Sequence, residues 1–66
     1  MKVVVNGAPR VLDDVTTVAE LASALDAGPS GVAVAVNDEV IVRSAWNATA
    51  LHEGDRVEVL GAMQGG

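Results

Sequence analysis

The sequence has no cysteine, phenylalanine or tyrosine, and only one tryptophan and one histidine among its 66 residues. Without cysteine there is no disulfide framework, no thiolate nucleophile and no Cys-based metal site. The one histidine, His52, lies among turn-forming residues, and we do not expect it to be catalytic. The longest apolar run, residues 32–36, is far shorter than the roughly 20 residues of a membrane-spanning helix. We therefore expect no active site of its own, no metal, no membrane partner and a cytoplasmic location.

Basic residues are also scarce, because four Lys and Arg stand against nine Asp and Glu and give a net charge of −5. Phosphate contacts require clustered Lys and Arg, and single-strand stacking requires aromatic rings, so we predict no nucleic-acid partner. A basic protein partner remains possible. The acidic surface is explained equally well by solubility alone.

The first half of the chain contains clear turn and helix signals. Two β-branched runs flank Asn6-Gly7, the dipeptide that best tolerates the positive φ angles of a type I′ hairpin turn. Thr17 and Glu20 then form a T-x-x-E capping box before apolar residues at helical spacing. Gly28-Pro29 supplies a stop for this helix.

The second half predicts a further hairpin and a final strand. Residues 31–36 and 39–42 are the hairpin strands, 43–55 are a loop with a helical turn around Trp46, and 56–60 alternate as a last strand. We expect Trp46 to close one end of an aliphatic core. One helix must cover one face of the sheet, so we predict a single α+β domain with a mixed sheet of four to five strands. The right-handed crossover rule places a later strand parallel to the first without deciding which one, and we predict that it is the last strand, which then lies centrally.

Alternation within the strands assigns two faces to the sheet. The residues expected to face the helix are Val3, Val5, Val32, Val34, Val36, Val57 and Val59. The opposite face then receives Val4, Ala33, Ala35, Arg56, Glu58 and Leu60. Its apolar members, Val4, Ala33, Ala35 and Leu60, form a candidate docking patch that Met63 extends toward the tail. Scattered exposed aliphatic residues that need no partner are the alternative.

The chain ends in residues 61–66, GAMQGG, which we predict to be a flexible tail of the single domain 1–66. A carboxylate is a poor electrophile until a partner attaches AMP to it from ATP. A tail without Cβ atoms at Gly65 and Gly66 is suited to a narrow partner channel that keeps water from the acyl-adenylate. The tail residues Met63, Gln64 and Gly65 are therefore predicted to contact the partner, and Gly66 to carry the reaction.

The chain resembles the ThiS family of thiamin-pathway sulfur carriers, which are small ubiquitin-like β-grasp proteins. The resemblance rests on the opening VVVNG, the helix start TTVAEL, the segment VAVNDEVIVRSAW and the end LHEGDRVEVLGAMQGG. It extends over nearly the whole chain. Val42 departs from the pattern, because members of the family often have proline before the Arg of RSxW.

This resemblance implies a protein cosubstrate that is acted on by enzymes and binds no cofactor itself. A ubiquitin-activating-like adenylyltransferase would use ATP and Mg²⁺ to adenylate the Gly66 carboxylate. Sulfur from a cysteine desulfurase persulfide or from sulfide would give a thiocarboxylate, which thiazole synthase would consume. The carrier alone is expected to be a monomer. The alternatives are a carrier for molybdopterin, cysteine synthesis or tRNA thiolation, or a non-covalent ubiquitin-like interaction module.

Overall fold

The computed structural model describes residues 1–25 and 32–61, which form one sheet, one α-helix and one 3₁₀ helix. The five strands are β1 (Lys2–Val5), β2 (Ala8–Val11), β3 (Val32–Val36), β4 (Glu39–Ile41) and β5 (Arg56–Gly61). The helix α1 comprises Val18–Ala24, and the 3₁₀ helix comprises Arg43–Ala48.

The strands form a mixed sheet in the order β2-β1-β5-β3-β4. β5 pairs in parallel with β1 and antiparallel with β3, while each hairpin partner is antiparallel. This arrangement is the β-grasp fold, and it confirms the prediction that the last strand is central and lies beside the first. β5 is one residue longer than predicted, because Gly61, assigned to the tail from the sequence, pairs with Val32.

Both hairpins have two-residue turns with positive φ angles. The β1–β2 turn has φ of 50° at Asn6 and 84° at Gly7, as the type I′ prediction requires. The β3–β4 turn has φ of 51° at Asn37 and 73° at Asp38. Asn and Asp are the non-glycine residues that enter this region most readily, so the second turn forms without glycine.

The capping box of α1 forms as predicted. The Glu20 backbone N–H donates to the Thr17 hydroxyl at 3.2 Å, and the Glu20 carboxylate accepts from the Thr17 N–H at 2.9 Å. Val18, Leu21 and Ala22 are buried against the sheet. The helix ends at Ala24, earlier than predicted, and the expected stop at 28–29 lies outside the described residues.

The core lies between α1 and one face of the sheet. Its fully or almost fully buried apolar residues are Val3, Val5, Val18, Leu21, Ala22, Val34, Trp46, Leu51 and Val57. The remaining valines predicted to face the helix, Val32, Val36 and Val59, are partly buried and pack against this core. The alternation of the strands therefore assigned the inner face correctly.

Trp46 belongs to the core and is 5% exposed. Its indole N–H donates to the Ile41 carbonyl at 2.9 Å, which satisfies the only polar atom of the buried ring. The Arg43 guanidinium lies 4.5 Å from the ring centroid. A 3₁₀ helix of six residues carries both side chains, where the sequence predicted a single turn.

Candidate functional site

The tail predicted to carry the chemistry follows directly after the central strand β5. Gly61, the last residue of β5, pairs with Val32 of β3. The predicted site residues Met63, Gln64, Gly65 and Gly66 lie outside the described residues. The structural part of the site is therefore the end of β5 and the sheet face beside it.

Three of the predicted docking residues lie together on the face opposite α1. Leu60 pairs with Ala33 across β5 and β3, and two residues along the strands Glu58 pairs with Ala35. Leu60 is 67% exposed, Ala33 is exposed and Ala35 is half-buried. Because directly paired residues share a face, Leu60 and the two alanines form a continuous apolar strip that reaches the end of β5.

Val4 lies on the same face but away from this strip. It pairs with Arg56 at the start of β5, four residues before Leu60, which corresponds to about 13 Å along the strand. Arg56 in turn donates to the Asp38 carboxylate at 2.7 Å in a solvent-exposed ion pair. Val4 is therefore placed beside a charged region, at the end of β5 that is far from the tail.

An apolar residue that adjoins this strip was not predicted from the sequence. Val40 of β4 pairs with Ala35 and is 69% exposed. The two-residue turn at Asn37-Asp38 fixes this register, so counting outward from the turn would have found it. We define the apolar face as Ala33, Ala35, Val40 and Leu60.

Two turn asparagines bind the backbone of β5. Asn6 accepts from the Val59 N–H at 2.9 Å and donates to the Val59 carbonyl at 3.3 Å. Asn37 accepts from the Arg56 N–H at 2.9 Å and donates to the Asp55 carboxylate at 3.0 Å. The strand that precedes the tail is therefore held from both of its edges by side chains as well as by neighbouring strands.

His52 belongs to the turn before β5. Its backbone N–H donates to the Asp55 carboxylate at 2.7 Å, the Asp55 N–H donates back to the His52 carbonyl at 3.0 Å, and Gly54 has φ of 85°. The carboxylate of Asp55 is thus engaged in forming the turn.

Within residues 1–25 and 32–61, no group of three His, Cys, Asp or Glu side chains is arranged to hold a metal ion. No helix of the same two segments is long and apolar enough to cross a membrane.

This chain is similar to known proteins over its whole length. The model of the ThiS family matches residues 3–66. The crystal structure of the thiamine biosynthesis protein ThiS from Geobacter metallireducens is 42% identical, covers 100% of both chains and has a TM-score of 0.82. A solution NMR structure of a thiamine biosynthesis protein from the same organism has a TM-score of 0.81 at 42% identity, and the match covers 100% of this chain and 88% of that one.

A longer relative is also similar. A thiazole synthase of Magnetococcus marinus is 36% identical over 66 residues, which are 100% of this chain and 20% of that protein. The chain thus spans about a fifth of the length of this curated relative.

Proposed function

Because this chain belongs to the ThiS family, a family of small sulfur carriers rather than catalysts, we propose that it carries sulfur in thiamin biosynthesis as a thiocarboxylate on Gly66. The observation that carries the proposal is the full-length likeness to a thiamine biosynthesis protein of the same fold. In this fold the central strand β5 leads directly into the segment AMQGG. The enzymes would then recognise the folded domain, while the tail carries the reacting group.

The proposed loading has two steps. A carboxylate oxygen of Gly66 attacks the α-phosphorus of ATP bound with Mg²⁺ in an adenylyltransferase, and pyrophosphate leaves. Sulfide then attacks the acyl carbon, a C–S bond forms, and AMP leaves with the former carboxylate oxygen. The persulfide of a cysteine desulfurase is the alternative source of sulfur: its terminal sulfur would displace AMP to form an acyl disulfide, and a thiol would then cleave the S–S bond, leaving the thiocarboxylate on Gly66 and a disulfide on the thiol side. Two residues without Cβ atoms at the end of the tail allow a narrow channel to enclose the acyl-adenylate and exclude water.

We propose that the apolar face is the surface on which these enzymes dock. Leu60 and Ala33 are adjacent to Gly61, so an enzyme bound there lies beside the end of β5, after which the tail begins. Exposed aliphatic residues in one continuous strip provide an apolar centre, and Glu58 on the same face provides a polar flank. The adenylyltransferase and the acceptor enzyme would use this face in turn.

The acceptor enzyme is proposed to be thiazole synthase. The longer relative named thiazole synthase contains a stretch similar to this entire chain, which supports an association between a carrier domain of this kind and that enzyme. Transfer of sulfur from the thiocarboxylate would leave the Gly66 carboxylate ready for another round.

Intact-protein mass spectrometry tests the proposal. The chain is incubated with a family adenylyltransferase, MgATP and sulfide, and the expected result is replacement of one oxygen by sulfur, located at Gly66 by fragmentation. Deletion of Gly66, or addition of one alanine after it, should prevent loading without unfolding the domain, because the change lies beyond β5. Loading of either variant would refute the role of the Gly66 carboxylate.

The acceptor is tested in a second reaction. Loaded carrier is mixed with thiazole synthase and its other substrates, and the mass of the carrier is followed. Return to the carboxylate form together with thiazole formation is expected. A carrier that loads but keeps its sulfur in this mixture would indicate a different acceptor, and a carrier that never loads would indicate a non-covalent module.

A further inference from the structure

β5 continues past the end of its neighbour β1. The parallel pairing with β1 involves only Arg56 and Val57 of β5, and the Asn6 N–H makes the last backbone bond of this pair, to the Val57 carbonyl at 2.9 Å. From Glu58 to Gly61 the strand pairs with β3 on its other edge. The segment that leads into the tail is therefore bonded to a strand on one edge, while β1 has already turned away.

The Asn6 side chain occupies the place of the missing strand. Its amide oxygen accepts from the Val59 N–H at 2.9 Å, and its amide nitrogen donates to the Val59 carbonyl at 3.3 Å. A primary amide has the same donor and acceptor pair as a peptide unit, so it completes one more step of hydrogen bonding after β1 ends. Val59 is two residues before Gly61, the last residue of β5.

We propose that Asn6 is a positioning residue for sulfur loading: by holding Val59 in the extended conformation, it fixes the direction in which the chain leaves the sheet toward Gly66. This inference rests on the proposed function. A carrier docked through its apolar face must place its tail in the channel of the partner, and a strand end bonded on both edges presents fewer conformations than one bonded on a single edge. Asn6 does not touch the reacting group and acts only through Val59.

The alternative is that Asn6 is present only for its turn. Asn at φ of 50° is favoured in a type I′ turn, and that preference alone would explain the residue. Glycine adopts the same φ without strain, so Asn6→Gly keeps the turn and removes the amide. A change seen in this variant would therefore be a consequence of the lost contact with Val59.

Asn37 provides a matched control. It occupies the first position of the other two-residue turn, has φ of 51°, and also binds the backbone of β5. Its contact is with Arg56, however, at the end of β5 far from the tail. Asn37→Gly therefore removes the bond to the Arg56 N–H, together with the bond to the Asp55 carboxylate, and leaves the contact between Asn6 and Val59 in place.

The experiment compares wild type, Asn6→Gly and Asn37→Gly in sulfur loading by the adenylyltransferase. Asn6→Gly removes two hydrogen bonds to Val59, one of them long at 3.3 Å, and a net contribution comparable to one ordinary hydrogen bond should lower kcat by roughly fivefold. KM for the carrier should stay unchanged, because the apolar face is intact. Asn37→Gly should keep the wild-type kcat. Asn6→Asp, which retains the acceptor for the Val59 N–H and loses the donor, should have an intermediate kcat.

Amide hydrogen exchange gives a readout that needs no partner enzyme. Asn6→Gly should increase exchange at Val59, and Asn37→Gly should increase it at Arg56 instead. Equal kcat in the two glycine variants, or unchanged exchange at Val59 in Asn6→Gly, would overturn the inference. Wild type that fails to load would refute the proposed function itself, whereas loading of wild type and Asn6→Gly at the same kcat would refute only the positioning role.

Discussion

Leu60 offers the most direct test of the apolar face, because it lies closest to the tail and is exposed. Two substitutions of Leu60 separate the loss of apolar contact from the introduction of a charge. Leu60→Ala removes apolar contact and adds nothing, while Leu60→Asp also places a charge two residues from Glu58 on the same face. Both changes concern a side chain that the isolated domain leaves largely in water, so the effect on binding should exceed the effect on folding.

The size of the effect follows from the exposed fraction. Full burial of a leucine side chain stabilises by about 1.5–3 kcal/mol. Because 67% of Leu60 is exposed in the domain, about two-thirds of that value, roughly 1–2 kcal/mol, is available to a partner. Leu60→Ala should therefore weaken binding by about 5–30-fold. The remaining third limits the loss of folding stability to about 0.5–1 kcal/mol. Leu60→Asp should weaken binding further, since a carboxylate at an apolar contact must lose its hydration.

Isothermal titration calorimetry with the adenylyltransferase, and separately with thiazole synthase, measures these affinities. Val15→Asp is the matched control, because Val15 is 79% exposed and lies in the segment between β2 and α1, outside the apolar face. It introduces the same charge at an exposed aliphatic residue. Urea unfolding of all variants reports the change in folding stability.

Leu60→Asp should bind the two enzymes more weakly than Val15→Asp. If Leu60→Asp and Val15→Asp bind both enzymes with wild-type affinity, the apolar face is not a docking surface. If both weaken binding equally, the effect is one of net charge and again does not depend on this face. If Leu60→Asp loses affinity for only one of the two enzymes, the apolar face is the docking surface for that enzyme.

Two further predictions concern the segment around Trp46. Trp46→Phe should destabilise the domain by about 2–4 kcal/mol, because it removes buried volume and leaves the Ile41 carbonyl without its 2.9 Å donor. Urea unfolding followed by circular dichroism measures the free energy of unfolding. A loss below about 1 kcal/mol would contradict the role of Trp46 in the core. Val42→Pro should stabilise by about 0.4–1 kcal/mol, because Val42 already has φ of −63° and ψ of 147°, which proline adopts without strain. A lower melting temperature than wild type would show that the Val42 N–H or side chain has a contact that proline cannot replace.

Much of the fold could be predicted because its signals are local. Asn6-Gly7 determines a turn within four residues, and Thr17 with Glu20 determines a helix start within the same distance. The inner face of the sheet followed from alternation alone. The crossover rule and one helix on one face place a later strand beside β1, and the structure confirms the choice of β5, although neither rule selects it among the later strands.

The contacts that organise the end of β5 could not be predicted in this way. Asn6 and Val59 are 53 positions apart, and turn chemistry explains Asn6 without any reference to Val59. The same holds for Asn37, whose side chain reaches Arg56 across 19 positions. Val40 was recoverable from the register of its hairpin but has no signal of its own, since an exposed valine is ordinary in an edge strand.

The central position of β5 also determines when the two hairpins can be joined into one sheet during folding. Each hairpin has a two-residue turn and forms from neighbouring segments, a process that takes microseconds in isolated hairpins. In the described sheet the two hairpins are joined through β5, whose residues are synthesised after every other strand. The two halves can therefore form early, but they cannot be joined before residues 56–61 have been made. Folding of this domain is completed by the same strand that leads into the tail. A chain in which β5 has not yet paired therefore lacks the folded sheet face beside the tail.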